Sequence, residues 1–165
     1  MLSVESIIEL LQLKPHPEGG YYRETYRSDE IIPPEALPER YSGARNFSTA
    51  IYYLLTPGTH STLHRLKSDE VFHFYTGDPV LMLLLFPDGS SRTVTLGHDI
   101  KNGHTPQLVV PRNTWMGGLL MKGGKFALLG TTVSPGFDFD DFEIGRREEL
   151  IKKYPSQIEL ISKLT

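Results

Sequence analysis

The chain has 165 residues, a formal net charge of −3 and no cysteine. A chain of this length fits one domain over residues 1–165, which can bury a substantial core without disulfides. The small negative charge argues against binding to nucleic acid or to an anionic membrane surface, and the missing cysteines exclude thiolate metal sites. The sequence shows no signal-peptide pattern and no membrane-spanning apolar run, so we expect a soluble, cytoplasmic protein.

The first predicted element is an amphipathic helix over residues 3–13. Its apolar residues recur at helical spacing, Ser3 is a suitable N-cap, and Pro15 prevents the helix from continuing. A strand is predicted over residues 21–27. Residues 28–45 contain three prolines and mixed charge, which predicts a long loop that is either a lid or a mobile excursion.

The middle of the chain is a series of short β-rich segments separated by turn signals. We predict strands over residues 47–55, 59–65, 70–76, 80–86, 91–96, 107–111, 115–121 and 126–133. Two short helices, over residues 146–153 and 156–164, close the chain. Short strands at steady intervals, with helices only at the ends, predict an all-β sandwich or barrel rather than alternating βα units.

The strand over residues 59–65 carries the histidines that are the best candidates for chemistry. Because alternate side chains of a strand share one face, His60, Thr62 and His64 are expected on the same side. Histidine gains and loses a proton near neutral pH, so His64 is the leading candidate for a general base or a ligand. Its structural alternative is a strand histidine that is hydrogen-bonded in a polar barrel mouth.

The next strand places Glu70, Phe72 and Phe74 on one face. His73 and Tyr75 are expected on the opposite face, where packing on the sheet exterior or in a subunit interface is the simplest role. A carboxylate that is buried without a partner is costly. The sequence therefore leaves two readings of Glu70: an acid with a raised pKa, or a carboxylate paired with a nearby arginine or histidine such as Arg23 or His64.

With these strands placed, residues 57–77 resemble the first motif of the cupin superfamily, in which a glycine, two histidines, a glutamate and a closing glycine follow one another. The matching residues are Gly58, His64, Glu70 and Gly77. Residues 107–117 resemble the second motif, with Pro111 matching its proline. Cupins are double-sheet jelly rolls, and the resemblance implies that the two motifs face each other across the barrel interior.

A narrower resemblance is more specific. Residues 16–28, 68–78 and 134–143 together resemble a small cupin family that is labelled as a domain of unknown function. The resemblance spans nearly the whole chain and implies an all-β fold: a double-stranded β-helix, that is, a jelly-roll cupin barrel, with an N-terminal helix and short C-terminal helices. Because small cupins commonly pair by sheet extension, it also implies a homodimer.

The resemblance implies a metal site only in part. Metal-binding cupins use two histidines and a glutamate of the first motif and a histidine of the second. Here Thr62 stands at the first of these positions and Met116 at the last. His64 and Glu70 alone are a poor site for a transition ion, so no metal or other cofactor is expected. A divergent metal site made by His60, His64 and Glu70 is the alternative.

A looser resemblance, carried by residues 19–24, is to the metal-free sugar-nucleotide epimerases of the cupin group. Those enzymes remove a proton next to a carbonyl with a histidine base and return one from a tyrosine. The implied function is a metal-independent isomerase or epimerase that acts on a small polar molecule, sugar- or nucleotide-like, with His64 and Glu70 as catalytic residues. The alternatives are a ligand-binding or sensor protein without turnover and a divergent metal-dependent enzyme.

Aromatic and polar side chains near the two motifs are the expected ligand contacts. Trp115 is either the floor of the pocket or part of the core. Arg23 and Arg27 either clamp a phosphate or form surface ion pairs. The full expected ligand-binding set is Tyr22, Arg23, Thr62, Phe72, Phe74, Trp115 and Met116.

Overall fold

The computed structural model describes residues 3–165 and begins with the predicted helix, α1 (Val4–Leu10). The Ser3 hydroxyl caps it by accepting the N–H of Ser6 at 3.1 Å. Ile7 is buried on the inner side of α1, where it packs with Leu13 and Leu54. The N-terminal helix therefore covers part of the outer face of a sheet, because its apolar stripe has no other surface to pack against.

Thirteen strands are defined within the described residues. They are β1 (Lys14–Pro15), β2 (Tyr21–Arg27), β3 (Ile31–Ile32), β4 (Arg45–Asn46), β5 (Thr49–Leu55), β6 (His60–Leu66), β7 (Asp69–Gly77), β8 (Val80–Leu85), β9 (Ser91–Leu96), β10 (Gln107–Val110), β11 (Trp115–Leu120), β12 (Ala127–Ser134) and β13 (Phe142–Ile144). Every predicted strand is present. The short strands β1, β3, β4 and β13 are additions, because two or three residues carry too little periodicity to be recognised.

The strands form two main antiparallel sheets that pack face to face. One has the order β1-β2-β5-β12-β7-β10 and the other the order β13-β6-β11-β8-β9, while β3 and β4 form a separate pair. Their inner faces enclose the largest apolar cluster, which includes Tyr53, Phe72, Leu84 and Leu129. This arrangement confirms the predicted all-β jelly roll.

The strand β8 is apolar on both faces, as predicted for a strand between two layers. Met82 and Leu84 belong to the cluster between the sheets. Leu83 and Leu85 face the other way and pack with Trp115 against the closing helices α2 (Arg147–Lys153) and α3 (Ile158–Lys163). Helices thus cover both outer faces of the jelly roll at their most apolar parts. Between residues 3 and 165, the structure has no helix that is both long and apolar enough to span a membrane.

The segment over residues 28–45 is anchored to the barrel, in contrast to the expected lid or mobile excursion. The Arg45 guanidinium donates two hydrogen bonds of 2.7 Å to the buried carboxylate of Asp141. The hydroxyls of Tyr41 and Ser68 are hydrogen-bonded at 2.8 Å. These buried polar contacts join the segment to two different strands or turns of the barrel, and they have no signature in a single sequence.

Candidate functional site

A cavity of about 380 Å³ opens between the inner faces of the two sheets. This volume is in the range of pockets that hold small molecules. The ionisable side chains that line its buried part are His16, Glu18, Tyr53, His64 and Glu70. They come from three strands and from the turn that precedes β2, so the fold, rather than any one motif, assembles the site.

Glu18 and His64 lie close enough to hold one proton between them. Nε2 of His64 lies 3.2 Å from Oε2 of Glu18, and both side chains are buried. Nδ1 of His64 lies 2.8 Å from the carbonyl oxygen of Thr62. A carbonyl only accepts, so Nδ1 must carry a hydrogen. The contact between Nε2 and Oε2 then needs one further proton, held either on the imidazolium or on the neutral acid.

The tight turn over residues 16–20 carries Glu18 into the cavity. Gly19 and Gly20 have φ values of +106° and +70°, which residues with a side chain rarely adopt. The carbonyl of Glu18 accepts the N–H of Thr62 at 2.9 Å. The turn is therefore fixed to the start of β6, and this attachment brings Glu18 next to the strand that carries His64.

Two hydroxyl groups complete the support of Glu18. Oγ of Ser61 donates to Oε1 of Glu18 at 2.9 Å. The hydroxyl of Tyr53 donates to the carbonyl of Gly19 at 2.7 Å. Burial raises the pKa of Tyr53 well above its usual value, and the nearby Glu18 raises it further. Tyr53 is thus a neutral donor that holds the turn in place.

A β-bulge in β6 decides which side chains of that strand face the cavity. Met116 of β11 pairs with His64 and Gly118 pairs with Ser61, so a step of two residues along β11 matches a step of three along β6. The extra residue reverses the alternation of side chains. Ser61 therefore points to the same side of β6 as His64, where it bonds to Glu18 without lining the cavity itself. Thr62, which strict alternation placed on that face, lies outside the cavity lining.

Glu70 is buried in the cavity wall on the same face of β7 as Phe72, as the alternation predicts. Its Oε2 atom has no hydrogen-bond partner among the described residues. Burial raises the pKa of Glu70 to about 7; Glu18 adds to this rise, while His64 opposes it. Of the two readings left open by the sequence, the raised pKa and the unpartnered oxygen favour the acid over the paired carboxylate.

The family comparison fits this geometry. The family described as "Cupin superfamily (DUF985)" matches residues 5–145. The chain belongs to this cupin family. An uncharacterised protein of Saccharomyces cerevisiae is 34% identical to the chain over an alignment of 158 residues, with 91% of this chain and 79% of that protein covered.

Solved structures resemble this cupin over its whole length. A hypothetical protein from Leishmania major has a TM-score of 0.90 at 34% identity, with 99% of each chain covered. A protein from Shewanella oneidensis has a TM-score of 0.89 at 36% identity, with 100% of this chain and 98% of that chain covered. An oxalate decarboxylase of Bacillus subtilis reaches a TM-score of 0.54 at 18% identity over 92% of this chain and 37% of its own, a likeness that shows the fold alone.

The predicted ligand contacts divide into three groups. Tyr22 and Phe72 line the cavity of this cupin. Phe74 and Met116 are buried in the cluster between the sheets and do not reach the cavity lining. The prediction that Phe74 and Met116 contact a ligand is wrong. Both side chains point inward, but they lie in the part of the barrel that is filled by packed side chains and has no space for a ligand.

Of the three remaining predicted contacts, Thr62 lies outside the cavity lining, as described above, and Trp115 and Arg23 lie outside the barrel. Trp115 packs with the closing helices, and its ring lies under the guanidinium of Arg65 at 4.4 Å. Arg23 stacks over Tyr52 at 5.5 Å, on the face of β2 that points away from the cavity. Both were predicted to contact the ligand because of their positions in the motifs. Each side chain, however, is on the face of its strand that points away from the barrel interior.

The mouth of the cavity is charged and aromatic. Arg27 donates to both carboxylate oxygens of Glu24, at 3.0 and 2.8 Å. Of the two roles expected for Arg27, the structure therefore has the surface ion pair and not a free guanidinium that could bind a phosphate. Asp138 and the rings of Phe137 and Phe139 form the neighbouring rim. The rim can therefore contact a polar molecule, while the charge of Arg27 is already paired with Glu24.

The cavity side chains of this cupin do not fit a metal site. Nδ1 of His64 is hydrogen-bonded to the carbonyl of Thr62 and Nε2 faces the Glu18 carboxylate at 3.2 Å, while Nδ1 of His16 accepts the N–H of Glu18 at 3.2 Å. His60 lies outside the cavity lining, so His60, His64 and Glu70 are not brought together. Across the part of the chain that the structure describes, no three His, Asp or Glu side chains are grouped to hold a metal ion.

Sequence reasoning missed His16 and Glu18 as site residues. Both lie in the turn before β2, which contributed to the sequence predictions only as part of the family resemblance over residues 16–28. Prolines and glycines next to His16 and Glu18 indicate a loop with a fixed conformation. Functional residues are often found on such loops, so this pattern was the available signal. Ser61 was also missed, because nothing in the sequence reports the bulge that turns it inward.

Proposed function

We propose that this cupin is a metal-independent isomerase or epimerase that moves a proton at a carbon next to a carbonyl group of a small, sugar-like molecule. The proposal is carried by one observation. Glu70 presents a buried carboxyl oxygen without a partner, with a pKa of about 7, beside the proton shared by Glu18 and His64. A general base works best when its pKa lies near the working pH.

The first step removes a proton. The carboxylate of Glu70 takes the hydrogen from the carbon next to the carbonyl, the C–H bond breaks, and its electron pair moves to the carbonyl oxygen to give an enediolate. Glu70 is then neutral, which suits its apolar surroundings beside Phe72.

The second step returns a proton, and its source decides the reaction. If Glu70 gives its proton to the former carbonyl carbon, while the hydroxyl proton of the first carbon passes to the former carbonyl oxygen, the carbonyl moves along the chain and the reaction is an isomerisation. If the proton shared by Glu18 and His64 reaches the opposite face of the same carbon, the configuration inverts and the reaction is an epimerisation. Either route balances without an oxidant or reductant, and Glu70 passes its proton back to the pair afterwards.

Solvent exchange tests the proposal on a panel of candidate substrates. The protein is incubated in D₂O with aldoses, ketoses and sugar nucleotides, and each compound is analysed by mass spectrometry and NMR. We expect deuterium at the carbon next to the carbonyl of at least one compound, and loss of that label with Glu70→Gln and His64→Ala. His73→Gln is the control, because His73 lies on the outer sheet face and bonds to Thr132 at 3.2 Å.

Two results would count against catalysis. Equal exchange rates for wild type and Glu70→Gln would show that Glu70 is not the base of the reaction. Tight binding of a sugar without any deuterium incorporation would indicate the alternative, a ligand-binding cupin without turnover.

A further inference from the structure

His16 is held in the cavity wall by aromatic and backbone contacts. Its side chain is 8% exposed, and its ring meets Tyr22 and Tyr53 in T-shaped contacts at 4.5 and 5.8 Å. It lines the cavity together with Glu70 and His64. The proposed acid–base chemistry does not use it, although an imidazole is one of the most reactive groups available.

The backbone fixes the tautomer of His16. The N–H of Glu18 donates to Nδ1 of His16 at 3.2 Å. A nitrogen that accepts a hydrogen bond carries a lone pair, so the hydrogen of the neutral ring must be on Nε2. The Glu18 carboxylate lies 3.8 Å from the same Nδ1 atom, on the side of the ring that faces the turn.

Burial lowers the pKa of His16, and the neighbouring His64 lowers it further, against the opposite effect of Glu18. The ring is therefore neutral at physiological pH. In that state Nε2–H is a donor without a hydrogen-bond partner among residues 3–165, while Nδ1 is occupied. A neutral imidazole in a dry pocket polarises a carbonyl oxygen and stabilises the charge that develops there.

We infer that His16 donates a hydrogen bond from Nε2–H to the carbonyl oxygen of the substrate and stabilises the enediolate that forms when Glu70 removes the proton. This role rests on the proposed function and narrows the reacting part of its substrate to an uncharged α-hydroxy carbonyl group. The buried part of the cavity holds the carboxyl groups of Glu18 and Glu70, which repel an anion, and it offers one fixed donor for a carbonyl oxygen. Any charged portion of the substrate stays at the mouth.

The tautomer is tested directly by ¹⁵N NMR of the imidazole rings in the free protein. We expect the His16 ring to be neutral at pH 7, with the hydrogen on Nε2. A His16 ring that carries its hydrogen on Nδ1, or that is protonated at pH 7, would overturn the inference.

Binding of an enediolate mimic tests the donor itself. Glycolohydroxamate presents its oxygens where those of the enediolate would form, whereas glycolamide, which has a similar shape, presents only the carbonyl oxygen. We expect wild type to prefer the hydroxamate, and His16→Phe to lose that preference by about 100-fold, as for the removal of one oxyanion donor. His16→Gln places an amide N–H near the position of Nε2–H and should restore part of the preference, whereas His73→Phe should leave it unchanged.

The outcomes separate this inference from the proposed function. Equal hydroxamate preference in wild type and His16→Phe, or no preference in wild type, contradicts a donor role for His16. If solvent exchange proceeds at the wild-type rate in His16→Phe, the inference fails and the proposed function stands. If no sugar undergoes exchange but the hydroxamate binds through His16, the proposed function fails and the carbonyl-binding role stands.

Discussion

Oε2 of Glu18 lies 3.2 Å from Nε2 of His64, although the two residues reach the cavity from different parts of the chain. The carbonyl of Thr62 accepts the hydrogen of Nδ1, so Nε2 is the nitrogen through which the two buried side chains can hold one exchangeable proton. The pair lies close to Glu70 in the wall of the same cavity. The contact between Glu18 and His64 therefore connects the turn before β2 with β6, the strand that carries the histidine of the cupin motif.

The shared proton predicts a loss of activity in Glu18→Gln. The amide keeps the size of the side chain and can still bond to Ser61, but it can neither hold the proton nor balance an imidazolium. We expect the solvent-exchange rate to fall by about 100-fold or more, with a thermal midpoint close to that of wild type. Glu143→Gln is the matched control, since Glu143 is exposed and pairs with Arg65 at 2.7 Å. An unchanged rate in Glu18→Gln would disprove the role of the pair.

The β6 bulge predicts opposite results for two neighbouring substitutions. Ser61→Ala removes the buried donor to Glu18 and leaves a carboxylate oxygen without its partner, which costs about 1–3 kcal/mol of unfolding free energy. Thr62→Ala removes a side chain that lies outside the cavity lining and should change the stability by less than about 0.5 kcal/mol. Urea denaturation of both variants measures the difference. A larger loss in Thr62→Ala would mean that the bulge is misplaced.

The raised pKa of Glu70 predicts a pH-dependent stability difference between wild type and Glu70→Gln. The folded pKa of about 7 lies above the usual value of 4.5, so the stabilising effect of the protonated carboxyl is complete below pH 4.5 and is lost as the pH rises through 7. The free energy of unfolding of wild type, relative to Glu70→Gln, should therefore fall by up to about 3 kcal/mol between these values. Guanidinium denaturation at several pH values measures it. A constant difference would show that Glu70 ionises normally.

The buried pair of Arg45 and Asp141 predicts that the segment over residues 28–45 is part of the folded unit. Arg45→Met leaves the Asp141 carboxylate buried, with Lys67 at 3.6 Å as its remaining cation among residues 3–165. We expect a loss of about 3–5 kcal/mol, together with faster proteolysis within the segment. Arg40→Met is the comparison, because Arg40 is exposed and bonds only to the carbonyl of Lys67 and the hydroxyl of Tyr41. Equal stability of the two variants would contradict an anchored segment.

The fold was predictable because its main signals are local. Alternation in β7 placed Glu70 and Phe72 correctly on one face, and an apolar run predicted the buried strand β8. Periodicity and a cap predicted α1. These features depend on residues within one element, so a single sequence carries them. The homodimer, in contrast, depends on a second chain and stays a prediction.

The site was predictable only in part, because most of it depends on long-range contacts. His64 and Glu70 were found from their motif. Glu18 was not, since its contact with His64 spans a turn and a strand that are distant in sequence. Ser61 replaced Thr62 because one extra residue in β6 reversed the alternation, and strand bulges arise from pairing with a neighbour rather than from the strand's own residues.

Glu70 is the group on which the proposed chemistry depends most, because it must titrate near neutral pH to act as both acid and base. Carbon NMR of the protein labelled at glutamate side-chain carboxyls measures its pKa directly, with Glu70→Gln used to assign the signal. We predict a midpoint of about 7, and a further rise in His64→Ala, because His64 opposes the upward shift. A midpoint near the ordinary value of 4.5 would contradict the acid–base role of Glu70.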